Sequence, residues 1–305
     1  AVQLALAWTE ACAQGRDKLT LLSAPPLAPF GTWAEQLVAE STGKSGTGLI
    51  PIDGEALHAP SSYPNDRAFL ELQLGTEPDA RVAKHAEALA RAGHPVIRLQ
   101  WRDRDDLGGE AVRWFLATAL AATVMRINPF DEPNVQEAKD RTNALLDRFA
   151  KDGKLPDGTP LLGTSPAAAE TLGAFLRKAG AGDYVAVLSF LPRTGVNDQA
   201  VEAFRRRVAE AARVVTTVGH GPRYLHSSGQ LHKGGPDRVV AVVLTADDPQ
   251  DLPIPGRPYS FGVLKRAQAL GDIEALTERR RRLLHLHLGG SPASALSHLS
   301  HALEQ

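Results

Sequence analysis

The chain has 305 residues, of which 43% are hydrophobic and 23% charged, as is ordinary for a globular protein. The 34 Lys and Arg residues nearly balance the 35 Asp and Glu residues, so neither nucleic acid nor an anionic membrane is expected as a partner. The single cysteine, Cys12, excludes an internal disulfide and a Cys-rich zinc site and favours a reducing, cytoplasmic compartment.

Helical and strand periodicities alternate along the first half of the chain. The predicted helices cover residues 1–14, 33–41, 78–91, 107–125 and 132–151. The predicted strands cover residues 18–23, 67–74 and 95–101. The longest strongly apolar stretch, around residues 114–125, is well short of the about 20 residues that a membrane span needs.

Gly and Pro interrupt this pattern at residues 152–164, which predicts a linker or a hairpin loop. Helices are predicted beyond it at residues 165–180, 196–212 and 259–288, and strands at residues 184–190, 213–218 and 238–245. His285 and His287, two residues apart in the last helix, would point to different sides of it and are not expected to form a site.

The alternation of strands and helices predicts an α/β fold, doubly wound, with mostly parallel sheets and helices on both faces. We expect one α/β domain over residues 1–151, a linker over 152–165, a second α/β subdomain over 166–290 and a frayed tail over 291–305. Ligands of such sheets bind beyond the carboxyl ends of the strands, so polar loops that follow strands are the candidate sites.

The first polar motif lies at the end of a predicted helix and contains Gln36, Glu40, Ser41, Gly43 and Lys44. Gly43 stands where a left-handed C-cap belongs. The carboxylate of Glu40 is either an exposed group near an ordinary glycine cap or a catalytic base, since a Glu beside a cation and a glycine turn can reach a substrate C–H.

A second motif runs from Asn128 through Asp131 to Lys139. Asn128 and the proline after it predict a turn, and Asp131 can cap the helix that follows. Local physics alone describes Lys139 as a solvated helix lysine.

The third motif is a glycine-rich loop after a strand, over residues 219–236, with three histidines, Arg223 and Lys233. Glycines allow backbone N–H groups to approach an anion, which Arg223 and Lys233 would neutralise. The loop therefore favours an anion- or sugar-binding role with one catalytic histidine. A structural loop and a three-histidine metal site are the alternatives.

Together these motifs resemble phosphoglucose isomerases. The segment from Gln36 to Lys44 resembles their Glu-Ser-x-Gly-Lys segment, and the segment from Asn128 to Lys139 is similar to their C-terminal signature. The loop over residues 219–235 is similar to the isomerase portion of bacterial transaldolase–phosphoglucose isomerase fusion proteins.

The resemblance implies an isomerase that interconverts glucose 6-phosphate and fructose 6-phosphate through a cis-enediol. It assigns the proton transfer to Glu40 and gives Gln36 a part in holding the phosphate. It assigns ring opening to Lys139 and a histidine, for which His226 is the first candidate and His232 and His220 are the next. Ser41, Gly43 and Lys44 match the residues around the base and are expected to bind the substrate.

The resemblance implies no metal or other cofactor, because a carboxylate base is sufficient for the reaction. It also implies a homodimer, since members of the family lend the histidine from a neighbouring subunit. The chain lacks an initiator Met, which indicates a processed chain or an excised fragment. The family's N-terminal half has no counterpart before Glu40, so the resemblance implies the C-terminal part of a longer polypeptide that also holds the N-terminal isomerase half or a transaldolase domain. A non-catalytic phosphosugar-binding module of the same type is the alternative.

Overall fold

A computed structural model of the chain describes residues 1–156 and 158–304. The chain divides into two compact units. Unit 1 comprises Ala1–Glu132 and Gln230–Pro236, and unit 2 comprises Pro133–Gly229 and Asp237–Gln305. The division after Glu132 differs from the predicted linker at residues 152–165, because the helix that follows residue 132 packs within unit 2.

Unit 1 is built around a parallel sheet of four strands with the order β2-β1-β3-β4. Its strands are β1 (Lys18–Ser23), β2 (Ile50–Ile52), β3 (Arg67–Leu74) and β4 (Val96–Trp101). Its helices are α1 (Val2–Ala13), α2 (Ala28–Thr42), α3 (Ala80–Arg91) and α4 (Leu107–Val124). Helices cover both faces of this sheet, as predicted.

Alternation of side chains along the strands separates the two faces of unit 1. Leu19 and Leu21 of β1 lie in the core that contains residues of α1, α2 and α4, where the rings of Trp8 and Trp114 are 5.1 Å apart. Leu22 lies in the opposite cluster, which contains residues of α3. Cys12 packs partly buried against the first core.

Unit 2 contains a parallel sheet of five strands with the order β5-β9-β8-β6-β7. In chain order its elements are α5 (Pro133–Asp152), β5 (Leu161–Leu162), α6 (Pro166–Leu176), β6 (Tyr184–Ser189), α7 (Gly195–Ala212), β7 (Val215–His220), α8 (Ser228–Gly234), β8 (Val239–Thr245), α9 (Phe261–Glu278), β9 (Arg282–His287) and α10 (Pro292–Ala302). Helix α8 begins in unit 2, and its residues from Gln230 onward belong to unit 1.

The central strands of unit 2 have the burial that is typical of a parallel sheet. Strands β6 and β8 are buried on both faces and consist mainly of apolar residues, as is usual for central strands of parallel sheets. Residues of α6, α7 and α10 pack together with these strands in one core, and α5 packs with α9 in another cluster. Among the described residues, no helix is long and apolar enough to cross a bilayer.

Two predictions near the C-terminus are wrong. The predicted helix over residues 259–288 ends at Glu278, and Arg282–His287 form strand β9 beside β8. The predicted frayed tail contains α10, which is held in place because Leu296 and Leu299 are fully buried in the core of unit 2. The arginines at 279, 281 and 282 form ion pairs with Glu137, Asp237 and Asp183, respectively.

Candidate functional site

Helix α2 carries the first motif and presents two of its polar side chains on one face. Gln36 and Glu40 lie one turn apart, and Gln36 Nε2 donates to Glu40 Oε2 over 3.5 Å, at the long end of the hydrogen-bond range. Both residues are partly exposed, as is Ser41 in the last turn of the helix. Glu40 therefore lies at the carboxyl end of α2 with part of its surface exposed.

Gly43 follows α2 and is the point on which other parts of unit 1 converge. Its φ is −76° and its ψ is 69°, so the predicted left-handed cap is wrong. A Cβ at this position would lie 2.4 Å from Leu231 Cα and 2.7 Å from the Ala39 carbonyl oxygen. Glycine is required here because the backbone of residue 231 packs directly against it, and not because of its φ.

A tight turn follows Gly43 and sets the direction of Lys44. The Lys44 amide donates to the Thr47 carbonyl at 3.0 Å, and the Thr47 amide donates to the Lys44 carbonyl at 2.9 Å. The two residues between them, Ser45 and Gly46, have φ values of 53° and 78°. Two positive φ values in succession are typical of a type I′ turn, which reverses the chain in two residues.

Lys44 joins the first motif to the second. Its Nζ donates to the Asn128 carbonyl oxygen at 2.8 Å and lies 3.2 Å from Asp131 Oδ1. Only 4% of the Lys44 side chain is exposed, compared with 54% of the Asp131 side chain. Asp131, predicted as a helix cap, thus pairs with Lys44, the first residue of the turn that follows Gly43.

The segment Gln230–Pro236 of the third motif belongs to unit 1 and lies on the same turn. Gln230 Nε2 donates to the Gly43 carbonyl oxygen at 2.9 Å, and the Gly46 amide donates to the Gly234 carbonyl oxygen at 2.9 Å. His232 and Lys233 in this segment are almost fully buried. Parts of all three motifs are therefore in contact within unit 1, at the turn that follows Glu40.

Lys139, the lysine predicted to assist ring opening, lies in unit 2 and is exposed on α5. Its neighbours on the helix are engaged with α9: Glu137 pairs with Arg279 at 2.7 Å, and Arg141 forms an ion pair with Glu278. Burial opposes ionisation of Glu137, but the hydrogen bonds from Arg279, Asn134 and Arg141 and the charge of Arg279 together outweigh it and lower the pKa of this carboxyl.

The part of the third motif that lies in unit 2 is a short 3₁₀ helix, Arg223–His226, in which both end residues are exposed. It is anchored by Tyr224, whose hydroxyl donates to Asp272 Oδ2 at 2.6 Å. Tyr224 and Asp272 are both buried, and this burial, together with the charge of Asp272, raises the pKa of Tyr224 well above its usual value.

The glycines of this loop have packing roles. A Cβ at Gly219 would lie 2.9 Å from the Tyr224 side chain, and a Cβ at Gly221 would lie 2.5 Å from the Phe190 ring. His220 lies between these two glycines at the end of β7, where burial and then the charge of Arg193 lower its pKa. Among the described residues, no group of three or more His, Cys, Asp or Glu side chains is arranged to hold a metal ion.

Sequence reasoning missed a polar cluster in unit 2, at the ends of β8 and β9. Residues two apart on a strand share a face, so β9 presents His285 and His287 on the same side. In the register of the sheet, His287 pairs with Thr245, the last residue of β8. The sequence signal is the spacing of two residues between the histidines. This spacing places both rings on one side of a strand, whereas the predicted helix places them on different sides.

Comparisons with known proteins give no family assignment. No family model and no curated protein sequence matches the chain. A crystal structure of the hypothetical protein TT0462 from Thermus thermophilus aligns with 99% of this chain and 80% of that chain, at 13% identity and a TM-score of 0.37. The fold itself defines an α/β protein with two parallel-sheet units.

Proposed function

We propose that the chain is an aldose–ketose isomerase that interconverts glucose 6-phosphate and fructose 6-phosphate. One observation carries the proposal. Three segments that resemble phosphoglucose isomerases meet at the turn after Glu40, although Gln230 is 187 residues away from Gly43 in sequence. The contacts run through Lys44 to Asn128 and Asp131, and through Gly43 to Gln230.

In this proposal Glu40 moves the proton between C1 and C2 of the open-chain sugar. The base must be accessible, and Glu40 is partly exposed at the end of α2. The turn beyond it is fixed by hydrogen bonds from Gln230 and Lys44, which supports a base held in one place. Gln36 lies beside the carboxylate and is the candidate donor for the substrate.

In this proposal Lys44 has a positioning role in place of the expected contact with substrate, because its ammonium group binds Asn128 and Asp131. The assignment of ring opening to Lys139 and His226 stays a prediction, as do anion binding by Arg223 and Lys233 and the homodimer. An N-terminal isomerase half or a transaldolase domain in the same polypeptide is likewise a prediction of the resemblance.

The test is a coupled assay on the full chain, in which glucose 6-phosphate formed from fructose 6-phosphate is oxidised by its NADP-dependent dehydrogenase. Glu40→Gln should lower turnover by about 10²–10⁴-fold, because the amide has the shape of the carboxylate but cannot accept a proton. In D₂O, the unmodified chain should place deuterium at C2 of the glucose 6-phosphate, since the proton passes through an exchangeable base.

Glu87→Gln is the matched control. It makes the same chemical change on exposed helix α3, where Glu87 pairs with Arg91, and turnover should not change. Equal turnover of Glu40→Gln and the unmodified chain would refute the role of Glu40. Binding of fructose 6-phosphate without turnover by the unmodified chain would replace the isomerase with the phosphosugar-binding module.

A further inference from the structure

Unit 2 contains a cavity of about 560 Å³ at the carboxyl ends of β8 and β9. This is the edge at which parallel α/β sheets bind their ligands, and the volume is within the range of small-molecule sites. Thr245, His285 and His287 line the end of the cavity formed by the strands. None of these residues takes part in the proposed isomerase chemistry.

A hydrogen-bonded chain of polar groups forms this inner wall. Thr245 Oγ1 lies 2.8 Å from His285 Nε2 and 3.1 Å from His287 Nδ1, and His287 Nε2 lies 3.3 Å from Asp247 Oδ1. Since a hydroxyl has one proton, Thr245 donates to one ring and accepts from the other.

The carboxylate of Asp247 settles the order of the protons when both rings are neutral. The Nε2–H of His287 points to Asp247, so His287 Nδ1 accepts from Thr245 and the Thr245 oxygen accepts from His285 Nε2–H. This leaves His285 Nδ1 as an acceptor for a ligand hydroxyl. Burial, followed by the charges of His287 and Arg266, lowers the pKa of His285 to about 4 and keeps the ring neutral at pH 7.

Three cations, Lys154, Lys265 and Arg266, and three carboxylates, Asp247, Asp248 and Asp251, line the cavity, and two of the cations are not neutralised by an ion pair with any residue that the structure describes. The carboxylates on the wall have donors of their own: Asp248 pairs with Lys265, and Asp251 accepts from the Gly262 amide at 2.7 Å. In contrast, neither Lys154 nor Arg266 has a carboxylate partner within residues 1–156 and 158–304. Both cations are exposed and line the cavity.

Apolar side chains complete the wall, among them Phe149, Leu155 and Leu270. We propose that this cavity binds the phosphate monoester of a sugar or polyol. The phosphate pairs with Arg266 and Lys154 at the rim, the hydroxyls bond to Thr245 and His285, and the carbon skeleton packs on the apolar wall. The site lies in unit 2 and does not depend on the isomerase proposal.

The experiment follows the histidine rings of the full chain by ¹⁵N NMR, with the signals assigned from His285→Asn and His287→Asn variants. The probe is sorbitol 6-phosphate, a polyol phosphate that has no carbonyl group and cannot be isomerised. It should shift the signals of both rings saturably, and Arg266→Gln should weaken this binding about tenfold or more, as expected when a charged hydrogen bond is lost.

Arg206→Gln, the same change at an exposed position on α7, is the control and should bind like the unmodified chain. If Arg266→Gln does not fold, Lys154→Gln tests the same contact. Unchanged ring signals at millimolar sorbitol 6-phosphate would overturn the proposal. An equal response to inorganic phosphate alone would overturn the assignment of a hydroxylated ligand. Because the readout is local and independent of turnover, its failure is distinct from failure of the isomerase proposal.

Discussion

Replacing Gly43, which is in contact with Leu231, is the most direct test of how unit 1 is assembled. A Cβ introduced by Gly43→Ala would lie 2.4 Å from Leu231 Cα, and neither that backbone atom nor the Ala39 carbonyl at 2.7 Å can rotate away. The segment Gln230–Pro236 must therefore move. Two hydrogen bonds would be lost with it, from Gln230 to Gly43 and from Gly46 to Gly234.

The expected loss of stability follows from these contacts. Overpacking costs about 1–3 kcal/mol and each lost hydrogen bond about 1 kcal/mol. Replacing glycine with alanine at a negative φ raises the free energy of unfolding by about 0.4–1 kcal/mol, because alanine restricts the unfolded chain. The net destabilisation is about 2–5 kcal/mol, which corresponds to a fall in Tm of about 4–20 °C.

The assay is thermal unfolding, with Gly109→Ala as the matched control. Gly109 lies in α4, where an added Cβ meets no atom within 4 Å, so this alanine should leave Tm unchanged or raise it. Hydrogen exchange of the Gly46 amide should also accelerate in Gly43→Ala. If Gly43→Ala matches the unmodified chain in both measurements, the segment Gln230–Pro236 is not held against the turn.

Further outcomes are expected. Lys44→Met should lower isomerase turnover at least tenfold because the buried ammonium fixes the turn after the base, whereas Lys84→Met on exposed α3 should not. Tyr224→Phe should cost about 1–3 kcal/mol, because it removes a buried hydrogen bond to Asp272. The pKa of Tyr224 is raised in the folded state, so stability should fall as pH rises above about 10, and Tyr224→Phe should reduce this fall in urea titrations. The pKa of His285 is lowered to about 4, so the free energy of unfolding should decrease as pH falls from about 6.5 towards 4. This decrease should be less steep in His285→Asn. A midpoint near 6.5 for His285 in an NMR titration would contradict the prediction.

Much of the fold could be predicted from the sequence, because periodicity is a local property. The strand over Arg67–Leu74 has its predicted bounds, and α4 differs from its prediction by one residue. Strand β9 could not be found in this way. The chain turns between α9 and β9 at Arg280, whose φ is 55°, and no glycine or proline marks the junction. Short strand β2 was also missed, since three residues hold no measurable period.

The candidate site was predicted as separate motifs, and its assembly was not. Glycine at position 43 was noticed for its backbone freedom, whereas the structure explains it by the approach of Leu231. That approach joins residues 188 positions apart, and no local pattern encodes it. The hydrogen-bonded group of Thr245, His285 and His287 was missed for a related reason. Two residues that are two apart point to different sides of a helix but to the same side of a strand, and these histidines lie in β9 and not in the predicted helix.

The return of Gln230–Pro236 to unit 1 has a consequence for how the chain is made. On the ribosome, residues 1–132 emerge before the segment that packs on the Gly43 turn, which follows only after another 230 − 132 = 98 residues. At a rate of synthesis of about 5–20 residues per second, the segment Gln230–Pro236 is made about 5–20 s after residue 132. During that interval the Gly43 turn is uncovered, so a fragment that stops at residue 132 should be more easily cleaved by proteases at this turn than the complete chain.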